Sequence, residues 1–437
     1  MIIDLLFMMV GLLCLLAIAF LFSSDRRKID WRLVGMGILL QIIFAICVLI
    51  IPGGEILFNY LSKFFVTIIS FTFEGASFVF GFLSSQANTE KILPIDLQNK
   101  GFGFIFAFQV LPTIIFFSSL MSVLYHLGVM QRIVQAMAWV MAKTMGVSGA
   151  ESLSVAANVF IGQTEAPLVV RPYVSTMTQS ELLTLMVGGM ATIAGGVLAA
   201  YVNILGGPDQ HLQIFYAKHL LSASVMAAPA TMVIAKILMP EKNLPETRGT
   251  VKLKIEKSSV NVIDAAATGA GDGLKLALNV AAMLLAFIAL IALLNYVLVG
   301  LGNYSGLNSL IGKPLSLNTI LGYLLSPIAW IIGVPWADAV KVGSLIGQKI
   351  VLNEFIAYVD LGSMIRNGLL SEKARIISTY ALCGFANFSS IAIQIGGIGG
   401  IAPNRRHDLA RFGLRAVLGG SLATFMTATI AGFLTSI

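Results

Sequence analysis

The chain has 437 residues and a net charge of +7, from 28 Lys and Arg against 21 Asp and Glu. Hydrophobic residues make up 57% and charged residues only 11%, against about 45–50% and about 25% in soluble proteins. This composition excludes a soluble enzyme and indicates a membrane protein. The apolar runs are continuous, so we expect an all-α polytopic protein and not an outer-membrane barrel.

The charged and sulfur-containing residues indicate which kinds of partner to expect. Basic residues lie in short connections between apolar runs, which is typical of cytoplasmic loops and argues against a nucleic-acid partner. Cys14, Cys47 and Cys383 lie inside apolar runs, and the four histidines are scattered. We therefore expect no disulfide framework, no zinc site and no other cofactor. No nucleophile–base pair or nucleotide-binding motif points to an enzyme.

About eight membrane-spanning helices are predicted, with both ends of the chain outside. The predicted spans are residues 2–22, 33–51, 102–127, 181–203, 212–239, 276–301, 375–398 and 414–434. Basic loops at 23–32, 241–259 and 404–415 place three connections in the cytoplasm.

Four further segments are predicted to lie along the membrane surface. Residues 55–85 could cross, but polar residues recur on one helical face, which favours an interfacial helix. These residues are Asn59, Lys63, Thr67, Ser70 and Glu74. Residues 130–145 and 265–275 are predicted as amphipathic helices and residues 315–332 as a helix on the outer face.

Two segments carry polar groups that a lipid-facing helix could hardly hold. Residues 148–174 contain Gly162 to Pro167, with the sequence GQTEAP, and residues 336–361 contain Asn353 and Glu354. Buried polar groups cost several kcal/mol unless they are paired or line a wet cavity. We therefore predict two re-entrant hairpins that enter from opposite sides. Basic side chains in and just after the second segment are expected to anchor the protein at its outer surface: Lys341, Lys349 and Arg366.

The order of span, surface helix, hairpin, span and span occurs in residues 102–239 and again, inverted, in residues 276–434. Thr192 follows Glu165 by 27 residues and Asn387 follows Glu354 by 33, each near the middle of a span. Inverted repeats with broken helices are typical of secondary transporters. Gly195 and Gly196 also suit close helix packing, and Asn387 with Ser390 could bond a neighbouring helix.

Three motifs in this order resemble those of the concentrative nucleoside transporters. They are Gly162 to Leu168 (GQTEAPL) with Arg171 to Tyr173 (RPY), Asn353 to Phe355 (NEF), and Gly384 to Ser390 (GFANFSS). The resemblance covers almost the whole chain, and the size of the chain is similar to that of the family's shorter bacterial form. It implies a homotrimer in the bacterial inner membrane that imports nucleosides by cation symport through an elevator mechanism.

The resemblance also implies roles for individual residues. The base would be held by Gln163, Thr164, Glu165 and Val197. The ribose would be held by Glu354, Asn387 and Ser390, beside Phe385. Sodium would lie between Asn158, Ile161, Thr192 and Ile193, with a threonine at 192 where serine is expected.

The same reading divides the chain into a scaffold and a moving transport region. Residues 1–147 are expected to be mainly scaffold, and residues 261–335 to add a scaffold span and a surface helix. Residues 148–260 and 336–437 are each expected to supply a hairpin and two spans of the transport region.

The polar residues at the breaks suit a nucleoside, because a neutral base and ribose are bound by amide, hydroxyl and carboxylate groups. Proton coupling, or a passive channel or receptor of the same fold, are the alternatives.

Overall fold

The computed structural model describes residues 2–85, 88–89, 92, 105–249 and 259–435. The fold is all-α, as predicted. The first helices are α1 Ile2–Leu21, α2 Trp31–Leu49, α3 Pro52–Phe80, α4 Phe106–Gln109, α5 Leu111–His126, α6 Val129–Met145, α7 Gly149–Asn158, α8 Ala166–Val169, α9 Arg171–Val174, α10 Gln179–Ala191, α11 Gly195–Gly206 and α12 Gln210–Leu238. The others are α13 Val262–Tyr304, α14 Leu307–Ile311, α15 Leu317–Ile331, α16 Trp336–Val351, α17 Glu354–Arg366, α18 Glu372–Ala381, α19 Phe388–Ile401 and α20 Arg406–Leu434.

Within the described residues, eight segments are long and apolar enough to cross a membrane, which agrees with the predicted number. The eight segments differ from the eight predicted spans in two places. The segment Pro52–Ser84, built on α3, passes this test although it was assigned to the interface. Its predicted polar face is exposed, whereas Ser62, Val66 and Ile69 are buried. The predicted span at 375–398 is divided into α18 and α19.

Two predicted boundaries are wrong because helices continue through them. The amphipathic piece at 265–275 and the next span form one helix of 43 residues, α13. Its glycines serve close packing: a Cβ at Gly269 would lie 2.7 Å from the carbonyl oxygen of Ser118 in α5, and one at Gly273 would lie 2.8 Å from Cα of Ile115. Most of the basic segment 404–415 is also helical, since α20 begins at Arg406.

Segments predicted on the same side of the membrane contact one another. On the side predicted to be cytoplasmic, the Ser24 amide donates to the Leu238 carbonyl at 2.9 Å, and Lys242 pairs with Asp25 at 2.8 Å. On the side predicted to be outside, Lys218 pairs with Glu55 at 2.7 Å. These contacts are those that the predicted topology requires, but half of the longest basic loop, including Lys252, Lys254 and Lys257, lies outside the described residues.

The second hairpin is formed by α16 and α17, and the first by α7 with α8 and α9. Helix α16 follows the surface helix α15 after a bend of 116°. Helices α10, α12 and α20 are buried along most of their length and form the centre of the fold. Helices α1 and α2 pack against α12 and α20, and Gln41 of α2 donates to Thr427 of α20 at 3.0 Å. The first two helices are therefore joined to the centre of the fold.

Candidate functional site

The two hairpins bring polar turns into the interior, and capping groups fix where the helices begin. Ser148 and Glu151 form a capping box at the start of α7. In the second hairpin, Oδ1 of Asn353 accepts from the Ile356 amide at 3.0 Å. This cap starts α17 and thereby sets the position of Glu354, the first residue of the helix.

Two spans are broken where the sequence predicted. Helix α10 ends at Ala191 and α11 begins at Gly195, whereas α18 ends at Ala381 and α19 begins at Phe388. The breaks contact each other, since the Phe385 amide donates to the Thr192 carbonyl at 3.3 Å. Gly384 allows this approach, because a Cβ there would lie 2.7 Å from the Met190 carbonyl oxygen. The four predicted segments therefore meet.

Glu354 lies at the centre of one polar group. Its Oε1 accepts from the Tyr201 hydroxyl at 3.1 Å, and its Oε2 accepts from Nδ2 of Asn387 at 2.9 Å. Oδ1 of Asn387 accepts from the Ser390 amide at 2.8 Å and so caps α19. All four side chains are buried. The arrangement holds a carboxylate in place and leaves its remaining lone pairs as acceptors.

Gln163, in the turn of the first hairpin, reaches the same helix. Its Nε2 donates to the Ser390 hydroxyl at 3.1 Å, and its Oε1 accepts from Nε2 of Gln394 at 3.1 Å. Gln394 also donates to the Met186 carbonyl of α10 at 3.0 Å. A continuous series of hydrogen bonds thus joins both hairpins to both broken spans.

The other residues expected at the base lie around this series. A Cβ at Gly397 would lie 3.0 Å from Cγ2 of Thr164, so Thr164 also faces α19. Glu165 is exposed, and its Oε2 lies against Gly162. The first hairpin turn therefore presents Thr164 toward α19.

Val197 and Phe385 supply apolar surface. Val197 is buried on α11, one turn before Tyr201 and on the same helical face. Phe385 is half-buried in the break between α18 and α19. Apolar and aromatic surface with a few fixed polar groups is typical of small-molecule sites.

The residues expected to hold a cation lie at the end of α10. The Thr192 hydroxyl donates to the Gly188 carbonyl at 2.9 Å, and a Cβ at Gly188 would lie 3.3 Å from Nδ2 of Asn158. Nδ2 of Asn158 donates to the Ser154 carbonyl at 3.1 Å, and its Oδ1 is buried without a hydrogen-bond partner. Ile193 is buried and Ile161 half-buried beside them. The site thus has an oxygen atom available to a cation.

Sequence reasoning missed Tyr201 and Gln394. Gln394 carried a signal, because it is an isolated amide in an apolar run and lies four residues after Ser390, on the same helical face. Tyr201 had no comparable signal, since tyrosine is common in membrane helices.

One sequence-based assignment is wrong. Lys349 was expected at the outer surface but is fully buried, whereas Lys341 and Arg366 are exposed. The Lys349 ammonium can be buried because Nζ donates to the Ala381 carbonyl at 2.8 Å and to the Thr424 hydroxyl at 3.0 Å.

Comparisons with known protein families match nearly the whole chain. Residues 10–83 and 219–432 match the N-terminal and C-terminal parts of the Na+ dependent nucleoside transporter family, and residues 107–208 match a nucleoside recognition domain. Nucleoside permease NupC of Helicobacter pylori is 41% identical over 99% of this chain and 98% of its own length. The chain belongs to the concentrative, Na+-dependent nucleoside transporter family.

Solved structures of the family protein CNTnw have the same fold. One in an inward-facing substrate-bound state has a TM-score of 0.88 at 44% identity and covers 99% of this chain and 98% of its own. A variant in an outward-facing state has a TM-score of 0.90 at 44% identity and covers 99% of each chain. The family resemblance and fold class drawn from the sequence are confirmed, and the family is one of transporters, not enzymes. The chain is a multi-pass inner-membrane protein.

Proposed function

We propose that this chain imports nucleosides by sodium symport. The observation that carries the proposal is the series of hydrogen bonds from Tyr201 through Glu354, Asn387 and Ser390 to Gln163. It joins the two hairpins across the two breaks, where a solute bound between them would contact both repeats. Transporters with inverted repeats bind their substrates at such breaks.

The chemistry of the two ends suits a nucleoside. Glu354 and Asn387 offer a carboxylate and an amide to the vicinal hydroxyls of a ribose, with Ser390 nearby and Phe385 beside the sugar. Gln163, Thr164 and Glu165 offer donors and acceptors to the base edge, and Val197 offers apolar surface to its face. A phosphorylated nucleotide is disfavoured because its charge would face two carboxylates.

Sodium is the proposed coupling ion, held by Asn158, Thr192 and the backbone at Ile161 and Ile193. The support is the buried Oδ1 of Asn158, which has no protein partner, together with the Thr192 hydroxyl at the end of α10. A cation at the C-terminal end of a helix is favoured by the helix dipole. Proton coupling through Glu165 is the alternative that the experiment below distinguishes.

We further propose that the hairpins and central spans move as one body within a homotrimer, following the scaffold and transport division drawn from the sequence. We depart from that division at α1 and α2, which were expected in the scaffold, because their packing on α12 and α20 favours assigning them to the transport region. The apolar faces of α3 and α13 are mostly exposed in one chain. They suit contacts with membrane lipid and with neighbouring subunits.

The test is uptake of radiolabelled uridine into proteoliposomes. An inward sodium gradient at constant pH is compared with an inward proton gradient in sodium-free buffer. Uptake should exceed equilibrium only with the sodium gradient, because Asn158 and Thr192 supply oxygen ligands. Asn158→Ala should lose this dependence, whereas Asn367→Ala, the same change at an exposed position, should keep it.

Three results would contradict the proposal. Uptake driven by the proton gradient, indifferent to sodium and lost in Glu165→Gln, would assign the coupling to a proton. Uptake that never exceeds equilibrium would indicate a passive channel, and saturable binding without uptake would indicate a receptor.

A further inference from the structure

The buried Lys349 has an unusual set of partners. Its Nζ donates to a carbonyl, that of Ala381, and to a hydroxyl, that of Thr424, and it lies 5.8 Å from the centroid of the Phe425 ring. All three partners are neutral. They offer an ammonium what a protein offers a bound monovalent cation, namely oxygen atoms and an aromatic face.

The ammonium lies at one end of the break in the second repeat. Ala381 is the last residue of α18, so its carbonyl belongs to the negative end of the helix dipole. The other side of the break is the N-terminal, positive end of α19, where the capping residue Asn387 bonds Glu354. The second hairpin therefore brings a positive charge to the negative helix end and a negative charge to the positive helix end.

The first repeat has the same architecture with one charge missing. Helix α10 corresponds to α18, and its C-terminal end lies at Thr192, where we propose the sodium site. There the first hairpin contributes Asn158, a neutral amide whose Oδ1 has no hydrogen-bond partner. By this correspondence of elements, the Lys349 ammonium and the proposed sodium each lie at the C-terminal end of the first half of a broken span.

We propose that Lys349 is a resident cation. Its covalently attached ammonium has the role in the second repeat that the exchangeable sodium has in the first. It touches no substrate and is a positioning residue. It fixes the end of α16 to α18 and α20, and Glu354 begins the next helix of the same hairpin five residues later. This inference rests on the proposed sodium site.

Two consequences follow from this role. One exchangeable sodium should accompany each nucleoside, because the second cation position is already filled. Removal of the Lys349 charge should loosen the hairpin end that carries Glu354, and the effect should fall on recognition of the ribose.

The experiment measures equilibrium binding of uridine and of 2′,3′-dideoxyuridine, which lacks the ribose hydroxyls, to the purified full chain at saturating sodium. Lys349→Met should weaken uridine binding about 10- to 100-fold and leave the weak dideoxyuridine binding nearly unchanged. Lys349→Arg should retain most of the preference for uridine. Lys341→Met, the same change at an exposed position of the same helix, should behave as the unmodified protein.

A purely structural lysine would give a different result. Equal weakening of both nucleosides in Lys349→Met, or no weakening of either, would overturn the proposal. If this variant fails to fold, Thr424→Val removes one acceptor while keeping the ammonium, and a smaller selective loss of uridine binding is expected. An unselective loss in Thr424→Val would also overturn the proposal.

A sodium titration of uridine binding provides a measurement that needs no variant. One sodium ion per uridine supports the resident cation, and two would overturn it. Asn158→Ala tests the first repeat separately. If its uridine binding keeps the full sodium dependence, the proposed sodium site is wrong, while the ribose selectivity of Lys349→Met still decides whether Lys349 positions Glu354.

Discussion

Replacement of the Glu354 carboxylate by an amide tests the centre of the candidate site. The carboxylate accepts from Tyr201 at 3.1 Å and from Asn387 at 2.9 Å. In Glu354→Gln one oxygen becomes an NH2 group, which must face another donor or turn toward the solute. A hydrogen bond to a charged group contributes about 1.5–3 kcal/mol, so the loss of one such bond to ribose should weaken uridine binding about 10- to 150-fold.

The assay is uridine binding to purified protein, followed by uptake into proteoliposomes. Glu372→Gln, the same substitution at an exposed position in the first turn of α18, is the matched control. Binding of 2′,3′-dideoxyuridine should change little in Glu354→Gln, because this nucleoside lacks the hydroxyls that the carboxylate would accept from. Unchanged uridine affinity, or an equal loss for both nucleosides, would refute the assigned role of Glu354.

Three further predictions concern contacts described above. Gln163→Ala and Ser390→Ala should each weaken uridine binding by about 0.5–1.5 kcal/mol. The double variant should lose less binding free energy than the sum of the two single variants, because the two side chains share one hydrogen bond. Additive losses would show that this contact does not contribute to binding. Gly189→Ala places a Cβ 2.8 Å from Cβ of Gln163, so its Tm in detergent should fall, by a destabilisation of about 1–3 kcal/mol; an unchanged Tm would contradict this packing. Lys242, which bonds Asp25, holds the pKa of that carboxyl below its usual 3.8. The folded pKa is thus the lower one, so the pair stabilises the protein above about pH 3.8 and this contribution is lost as the pH falls. The Tm of Lys242→Ala should therefore be below that of the unmodified protein at neutral pH, and the two Tm values should converge in acid. A Tm difference that grows in acid would contradict this reasoning.

The positions of the breaks could be predicted because polar groups are costly in a membrane. Apolar runs are interrupted by Gln163, Glu354 and Asn387, and the free-energy cost of burying these polar side chains in a membrane indicates a cavity. Their partners could not be predicted in the same way. Gln163 meets Ser390 across 227 residues of sequence, and this pairing depends on how two hairpins and two broken helices pack together.

Lys349 shows where the same reasoning fails. Long basic side chains near helix ends usually extend to the membrane surface, and the position of Lys349 in an apolar segment suggested that behaviour. A hairpin carries its turn inward, however, so a residue near the turn is the most deeply buried. The continuity of α13 was missed for a related reason. Residues 265–275 were interpreted as a separate amphipathic piece, but their glycines pack against α5 and the helix continues into the span.

The length of α13 leads us to expect that transport depends on bilayer thickness. At about 1.5 Å per residue, its 43 residues extend about 64 Å, about twice the hydrocarbon thickness of about 30 Å. Its apolar stretch at 276–301 extends about 39 Å, so it matches that thickness at a tilt of about 40°. Because Gly269 and Gly273 pack against α5, a thinner or thicker membrane that changes the tilt of α13 turns the neighbouring helix with it. Uridine uptake should then depend on the acyl-chain length of the surrounding lipid.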